Sequence, residues 1–261
     1  MKHTISTVII TFNESKNIQR CIESVLSFSD EIVIVDSFSE DETKSICAEY
    51  DKVRFFERPF DNYINQKNYA NHQAHGAYIF SIDADEVASA PLIQFLENWN
   101  PEIHSLYAFH RLNYIGNKAI RYGSWYPDTK IRLWKKNQAE WSGKTPHEIL
   151  KFDTKLNIKK INFPILHYGY SSIDVVFKKS IFYAKLASKN IALDKSYLSI
   201  LISMLFSPLI KFFKGLIIKR GFLNGFIGIQ IEYCIARETF YKYLNALLLK
   251  LKRIPNGNIE N

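Results

Sequence analysis

Asp83-Ala84-Asp85 sets two carboxylates one residue apart directly after the apolar run Tyr78 to Ile82. Two anions at the end of a buried strand are costly unless something positive meets them, and a divalent cation is the natural partner. Oxygen donors suit Mg2+ or Mn2+, and a site with one or two protein carboxylates leaves positions for the phosphates of a nucleotide diphosphate. The competing reading is structural: Asp83 to Glu86 form the acidic N-terminus of a following helix, where negative charge meets the helix dipole. Two further polar groups, Thr11-Phe12-Asn13-Glu14 and Asp36-Ser37, also stand at the ends of apolar runs. His72 and His75 have H-x-x-H spacing on a predicted helix but no further ligand nearby, so no metal site is assigned to them.

The elements before these groups must position them. Ile5 to Phe12 is a buried-strand run, and Ile18, Cys21, Ile22, Val25 and Leu26 recur at helical spacing on one face. Glu31 to Asp36 is a second continuous apolar strand, and Ser39-x-x-Glu42 reads as a capping box for a helix carrying Ile46 and Ala48. A short strand near Val53 to Phe56, a helix around Ile64 to His75 and a fourth strand at Tyr78 to Ile82 continue the series. Strands that alternate with helices and are apolar throughout predict an α/β domain with a parallel sheet covered on both faces. Ligands of such sheets bind beyond the carboxyl ends of the strands, where the three polar groups converge. No G-x-G-x-x-G follows the first strand and no G-x-x-x-x-G-K-[ST] occurs, so the ordinary dinucleotide and P-loop readings are weak. From Leu106 to Tyr170 the pattern changes to short strands and aromatic loops, and from Ser171 to Arg253 it is helical, apolar and lysine-rich.

With 261 residues, 47% of them hydrophobic and 15% aromatic, the chain buries a real core and does not fit disorder. Three cysteines without a C-x-x-C pair argue against a disulfide framework and a thiolate zinc site, and point to a reducing compartment. The net charge of +8 is uneven: residues 176–253 carry 14 Lys and Arg against 3 Asp and Glu, and the remainder 20 against 23. Lys211, Lys214, Lys219 and Arg220 interleave with Leu, Ile and Phe, as in helices lying in a lipid interface. Nucleic-acid binders instead set their basic residues among polar or stacking ones, so no nucleic-acid partner is expected. The alternative is a helix packed on the domain with a solvated lysine face. Ile5 to Ile10 is too short and interrupted for a signal peptide, and Ser196 to Ile210 has 15 uncharged residues, fewer than the about 20 that a span needs. The expectation is a cytoplasmic protein, peripheral on the cytoplasmic face of the inner membrane.

Ile5-Ser-Thr-Val-Ile-Ile-Thr-Phe-Asn-Glu14, then Asp36-Ser37, then Phe80-Ser-Ile-Asp-Ala-Asp-Glu86 resemble the nucleotide-sugar half of family 2 glycosyltransferases, which have the GT-A fold. The resemblance implies that Thr11, Phe12, Asn13, Glu14 and Asp36 hold the uridine of a UDP-sugar. It also implies that Asp83 lies near the ribose and that Asp85 holds Mg2+ or Mn2+ on the diphosphate. Lys67, beside Gln66 and Asn68, matches residues that often lie by the nucleotide. Trp125-Tyr-Pro-Asp-Thr-Lys-Ile-Arg-Leu-Trp134 and Trp141-Ser-Gly-Lys-Thr-Pro-His-Glu148 look like the branch of lipopolysaccharide core β-1,4-glucosyltransferases. There His147-Glu148 falls where other members carry an acidic catalytic motif. Inverting transfer needs a base for the acceptor hydroxyl, which makes Glu148 the first candidate and Asp128 its competitor. His147 is then placed to reach the metal or diphosphate, and Arg132 or Lys130 to neutralise the leaving phosphate. Trp125, Tyr126 and Trp141 are either a sugar platform or core packing.

The resulting expectation is a GT-A domain over residues 1–175, with nucleotide-sugar binding in 1–105 and acceptor and catalytic functions in 106–175, then a basic amphipathic extension over 176–261. The implied reaction is metal-dependent, inverting transfer of a hexose, with glucose first, from a UDP-sugar to a glycolipid or other envelope glycan. A same-fold enzyme acting on a peptide or another polysaccharide, and a non-catalytic basic membrane-binding protein, are the alternatives.

Overall fold

The computed structural model describes residues 3–102, 105–144 and 147–252, with the side chains of Lys144 and His147 outside the description. Contacts divide the chain into two units, Met1–Leu112 with Asp128–Gly169, and Asn113–Pro127 with Tyr170–Asn261.

The first unit opens with β1 (Ile5–Thr11), α1 (Ile18–Val25), β2 (Glu31–Asp36), α2 (Thr43–Cys47), β3 (Val53–Glu57), α3 (Tyr63–Gln73) and β4 (Tyr78–Ser81). It continues through β5 (Glu86–Ala88), α4 (Ala90–Glu97), most of β6 (Ser105–Ile115), and, after β7 (Lys118–Ala119) in the other unit, β8 (Asp128–Lys135). A hairpin of β9 (Ala139–Lys144) and β10 (His147–Phe152) precedes β11 (Asn157–Tyr170). The main sheet has the order β3-β2-β1-β4-β8-β6-β11-β5. The pairs among β3, β2, β1 and β4 are parallel, whereas β4–β8, β8–β6 and β11–β5 are antiparallel. The parallel pairs named are those of the N-terminal strands, and antiparallel pairs join the later ones. Parallel neighbours need a crossover of a dozen or more residues, usually a helix, and α1, α2 and α3 supply these between β1, β2, β3 and β4.

Continuous apolar strands have this composition because each face is covered. In β1 and β2, Ile5, Ile9, Ile32 and Ile34 join one core with Ile18, Cys21, Ile22 and Val25 of α1, while Val8, Val33 and Val35 join another with Ala70 and Ala74. Each fully buried large aliphatic side chain contributes roughly 1.5–3 kcal/mol. Two local expectations fail. The helix α2 starts at Thr43, and the Ser39 hydroxyl serves Asp36 instead of capping it. Asp83 to Glu86 lead into β5, so they are no helix cap; α4 begins after Ser89.

The second unit contains α5 (Ile173–Asp194), α6 (Tyr197–Phe213), a π-helical turn at Lys214–Ile218, a 3-10 turn at Gly221–Asn224 and α7 (Phe226–Lys252). Val176, Ile231 and Cys234 pack with Ile115 and Ile120. Trp125 stacks on Tyr170 at 4.9 Å within this unit. The buried Glu232 carboxylate accepts from Ser124 N and Oγ at 2.7 and 2.8 Å. Gly215 lies against it so closely that a Cβ there would overlap the carboxylate.

The helix α6 is apolar on its exposed side as well as on its packed side. Its packed side carries Ile200, Pro208 and Ser203, the last hydrogen-bonded to Tyr243. Leu201, Ile202, Leu205, Phe206, Leu209 and Ile210 stand exposed on the other side. Tyr197–Ile218 forms 22 helical residues, long and apolar enough to cross a membrane. This exceeds the uncharged stretch in the sequence because the helix runs on through Lys211 and Lys214.

Candidate functional site

The carboxyl ends of β1 and β2 are tied together by side chains. Thr11 and Asp36 are register partners in the β1–β2 ladder. Asn13, in the left-handed region with φ 55°, donates its N–H to Ser39 Oγ at 2.7 Å and accepts from Glu40 N at 2.8 Å. Asp36 is buried and accepts from Ser39 Oγ and N at 2.5 and 2.6 Å, so it shapes the second loop. Glu14 N donates to Thr43 Oγ1, and the Glu14 carboxylate accepts from Asn17. Phe12, 56% exposed, projects from this edge. Thr11 Oγ1 is buried without a hydrogen-bond partner among the described residues, an unspent polar atom at the same edge.

Beyond β4 the two aspartates of the triplet have different surroundings. Asp83 accepts from Lys67 Nζ of α3 at 3.1 Å and from Arg132 Nη2 of β8 at 2.9 Å. Arg132 is 4% exposed and also reaches Glu86 Oε1 at 2.7 Å. Burial opposes the charge on Asp83, but Arg132 and Lys67 outweigh it and hold the carboxyl well below the ordinary range. Burial, reinforced by the charge of Asp83, pushes the Glu86 carboxyl up despite Arg132. Arg111 adds a second cation, 3.5 Å from Glu86 and 2.7 Å from Asp128. Arg132 thus bridges the half-buried Asp83 and the buried Glu86.

Asp85 has no Lys or Arg partner among the described residues. Its Oδ2 lies 3.2 Å from His167 Nε2, and its carbonyl accepts from Tyr168 N at 2.9 Å. A Cβ on Gly169 would come within 2.6 Å of that nitrogen and 2.8 Å of that oxygen, so the glycine keeps the ground beside both atoms clear. Asp85 and His167 thus set a carboxylate oxygen and an imidazole nitrogen side by side. His167, Glu86 and Arg111 were not singled out from the sequence. Only Glu86 had a local signal, its adjacency to the triplet.

The two base candidates differ in the same way. Asp128 is held by Arg111 and by Lys130 at 3.3 Å; these cations overcome the effect of burial and lower its pKa. Glu148 pairs with Gly143 across the β9–β10 hairpin, and Trp141 pairs with Leu150 two positions along. Paired residues share a face, so Glu148 lies on the Trp141 side of the hairpin. Glu148 Oε1 is buried and has no hydrogen-bond partner among the described residues. Trp141 in turn lies beneath Lys67 Nζ, 4.6 Å from the ring centroid, which links this face to Asp83. The His147 side chain lies outside the described residues.

Residues 6–174 match the model of the family described as Glycosyl transferase family 2. The chain belongs to that family. An uncharacterized glycosyltransferase of Rickettsia felis is 30% identical over 270 residues, covering 96% of this chain and 92% of the relative. The lipopolysaccharide core biosynthesis glycosyltransferase LpsC of Rhizobium meliloti is 38% identical over 99 residues, 36% of each chain. The mannosyltransferase PcManGT of Pyrobaculum calidifontis, solved in complex with GDP-Man and Mn2+, superposes with a TM-score of 0.52 at 14% identity, covering 96% of this chain and 87% of the other. Its likeness establishes the fold. This family 2 glycosyltransferase has a GT-A-like mixed sheet with helices, followed by a helical C-terminal region.

Proposed function

We propose that this glycosyltransferase moves a hexose, with glucose as the first candidate, from a UDP-sugar to a glycolipid or glycan of the lipopolysaccharide core type, with inversion and with Mg2+ or Mn2+ on the diphosphate. The observation that carries the reading is the division within the triplet. Asp83 is neutralised by Lys67 and Arg132, whereas Asp85 is left without an Arg or Lys and beside cleared space. Only the second is available to a metal ion, and Asp85 would hold it. The cation supplies positive charge to the departing diphosphate when bound.

The chain's own groups do the rest. Phe12, the unspent Thr11 hydroxyl and the Asn13–Ser39 clamp form the edge that receives the nucleoside. Glu148 takes the proton of the acceptor hydroxyl as its oxygen attacks the anomeric carbon and the bond to the diphosphate breaks. A carboxylate oxygen without a donor is suited to accept that proton; Asp128, held low by Arg111 and Lys130, is the weaker base. The partial likeness to LpsC supports a core-type acceptor. The exposed face of α6, with Lys211, Lys214, Lys219 and Arg220 along or just beyond it, supports a peripheral location on the anionic cytoplasmic face of the inner membrane, where a lipid-linked acceptor resides. Arg237, Glu238 and Lys242 lie on α7, against which α6 packs, and these charges favour a helix lying in the interface over one crossing it.

The test is transfer of radiolabelled sugar from a panel of UDP- and GDP-sugars to purified core oligosaccharide, core glycolipid and peptide acceptors. Transfer from a UDP-hexose to the core acceptors is expected. Transfer only to peptide, or only from a GDP-sugar, would replace the acceptor or donor named here.

A further inference from the structure

We propose that the turn between α6 and α7, residues 213–226, is a preformed wedge that enters one leaflet of an anionic bilayer, with Lys214, Lys219 and Arg220 on the lipid phosphates. The inference rests on the peripheral membrane reading above and adds to the exposed flank of α6 the point at which the chain enters the lipid.

Segments that connect helices run over the surface and are ordinarily polar outside. This one is the reverse. Ile217, Ile218, Phe222, Leu223 and Phe226 are each half or more exposed, with Ile218 at 74% and Phe226 at 73%. The polar groups point inward and hold the turn in shape. Buried Asn224 accepts from Arg121 N at 3.1 Å and donates to Tyr122 O at 2.9 Å. Gly123 N donates to Lys219 O at 2.9 Å, and buried Glu232 takes both donors of Ser124. Gly228 packs against the Gly221 carbonyl with no room for a Cβ, and Arg220 is held in the left-handed region with φ 55°. A turn fixed from within presents its apolar side chains in one arrangement and has little freedom left to lose on docking. The loop lashed to it, with Arg121 exposed, limits entry to the depth of an interfacial element, about 5–10 Å.

Charge selects the occupant. From Lys195 to Ile231 the chain carries Lys195, Lys211, Lys214, Lys219 and Arg220 and no Asp or Glu, and the next acid, Glu232, is buried. Exposed cations set among large apolar residues match a surface of phosphates over hydrocarbon. A second copy of the chain fits less well, since a two-fold interface through this turn would set Lys219 and Arg220 against themselves.

The experiment uses the full chain with vesicles of phosphatidylethanolamine and phosphatidylglycerol, and with phosphatidylcholine vesicles as the uncharged control. Cys21, Cys47 and Cys234 are buried, so Phe222→Cys supplies the exposed thiol for an environment-sensitive dye. On the anionic vesicles the dye emission is expected to shift to the blue and to be quenched more by lipids brominated near the headgroup end of the acyl chain than by those brominated near its tip. Phe222→Asp with Leu223→Asp should weaken partition at least about tenfold. Lys219→Gln with Arg220→Gln should weaken it about tenfold or more on the anionic vesicles and little on the uncharged ones. Circular dichroism checks that each variant is folded; if the aspartate pair does not fold, the labelled protein and the glutamine pair decide. A dye that stays in water while the protein binds anionic vesicles, or unchanged partition in both double variants, overturns the wedge and leaves the α6 reading standing. A dye already shifted without vesicles, together with a dimer in sedimentation, gives the turn to a second copy and overturns it as well. Failure of the wild type to bind anionic vesicles overturns both the wedge and the membrane reading.

Discussion

At the edge beyond β4, charge lies inside: Arg132 and Glu86 are buried, and Asp83, Arg111 and Asp128 complete a continuous chain of ion pairs with them. Along α6 apolar surface lies outside: Ile200 is covered, but Leu201, Ile202, Leu205, Phe206, Leu209 and Ile210 stand exposed. Folding alone favours neither arrangement, since buried charges are expensive and exposed apolar surface gains nothing in water. The proposed function gives each a second participant, an ion with a charged donor at one place and a lipid surface at the other. The difference is in what compensates. The charged edge is balanced by the protein itself except at Asp85, which has no Lys or Arg partner among the described residues, whereas nothing among the described residues covers the α6 face.

The comparison breaks most visibly if the unspent carboxylate is idle. Glu148→Gln is expected to lower kcat about 10²- to 10⁴-fold while leaving UDP-sugar binding unchanged. A larger loss in Asp128→Asn than in Glu148→Gln would reassign the base. Next, Arg132→Met leaves Asp83 and Glu86 facing one another without their shared cation and should cost about 3–5 kcal/mol in urea unfolding. A loss below about 1 kcal/mol would mean that the network is incidental.

The α6 side of the comparison is sharpened by Leu205→Ser with Phe206→Ser. Partition onto anionic vesicles should fall at least about tenfold, as expected for removing two large apolar groups from a lipid interface. Stability should change by less than about 0.5 kcal/mol, because both are surface positions. Unchanged partition would return α6 to an ordinary packed helix.

The smallest effect is on acid stability. The Asp83 carboxyl is held low in the folded protein, so its contribution is present above the ordinary carboxylate range near 4 and is lost as the pH falls through the folded value. Glu86, pushed up, has the opposite sign, contributing below its ordinary value and losing that contribution as the pH rises through the raised one. Asp83→Asn should therefore flatten the fall of Tm below about pH 4. An unchanged acid limb would place the lability elsewhere.

Much of this was legible because it is local. β1, β2 and β4 each announce themselves as apolar runs, and Thr11, Asp36 and Asp83 are the first polar groups after or at their ends, so topology alone brings them to one edge. The antiparallel strands β8, β6 and β11 carry no sequence mark of their partners, and His167 is paired with Asp85 only through that long-range register. Ser39 illustrates the converse: its spacing to Glu42 fits a cap, but a buried Asp36 three residues earlier takes the hydroxyl first. The run through Glu86 resembled a helix start because acidity after a strand looks the same whether a helix or a cation satisfies it. The exposed face of α6 could not be read from its composition, because apolar residues lie around most of the helix and only packing shows which are covered.

The most direct test of the central claim is calorimetric titration of the full-length protein with UDP in Mn2+ and then in EDTA, repeated with Asp85→Ala. Binding that requires Mn2+ and disappears in both EDTA and the variant is the predicted result. UDP binding that is equal with and without the ion, or unchanged in Asp85→Ala, would contradict the assignment of Asp85 to a metal-borne diphosphate.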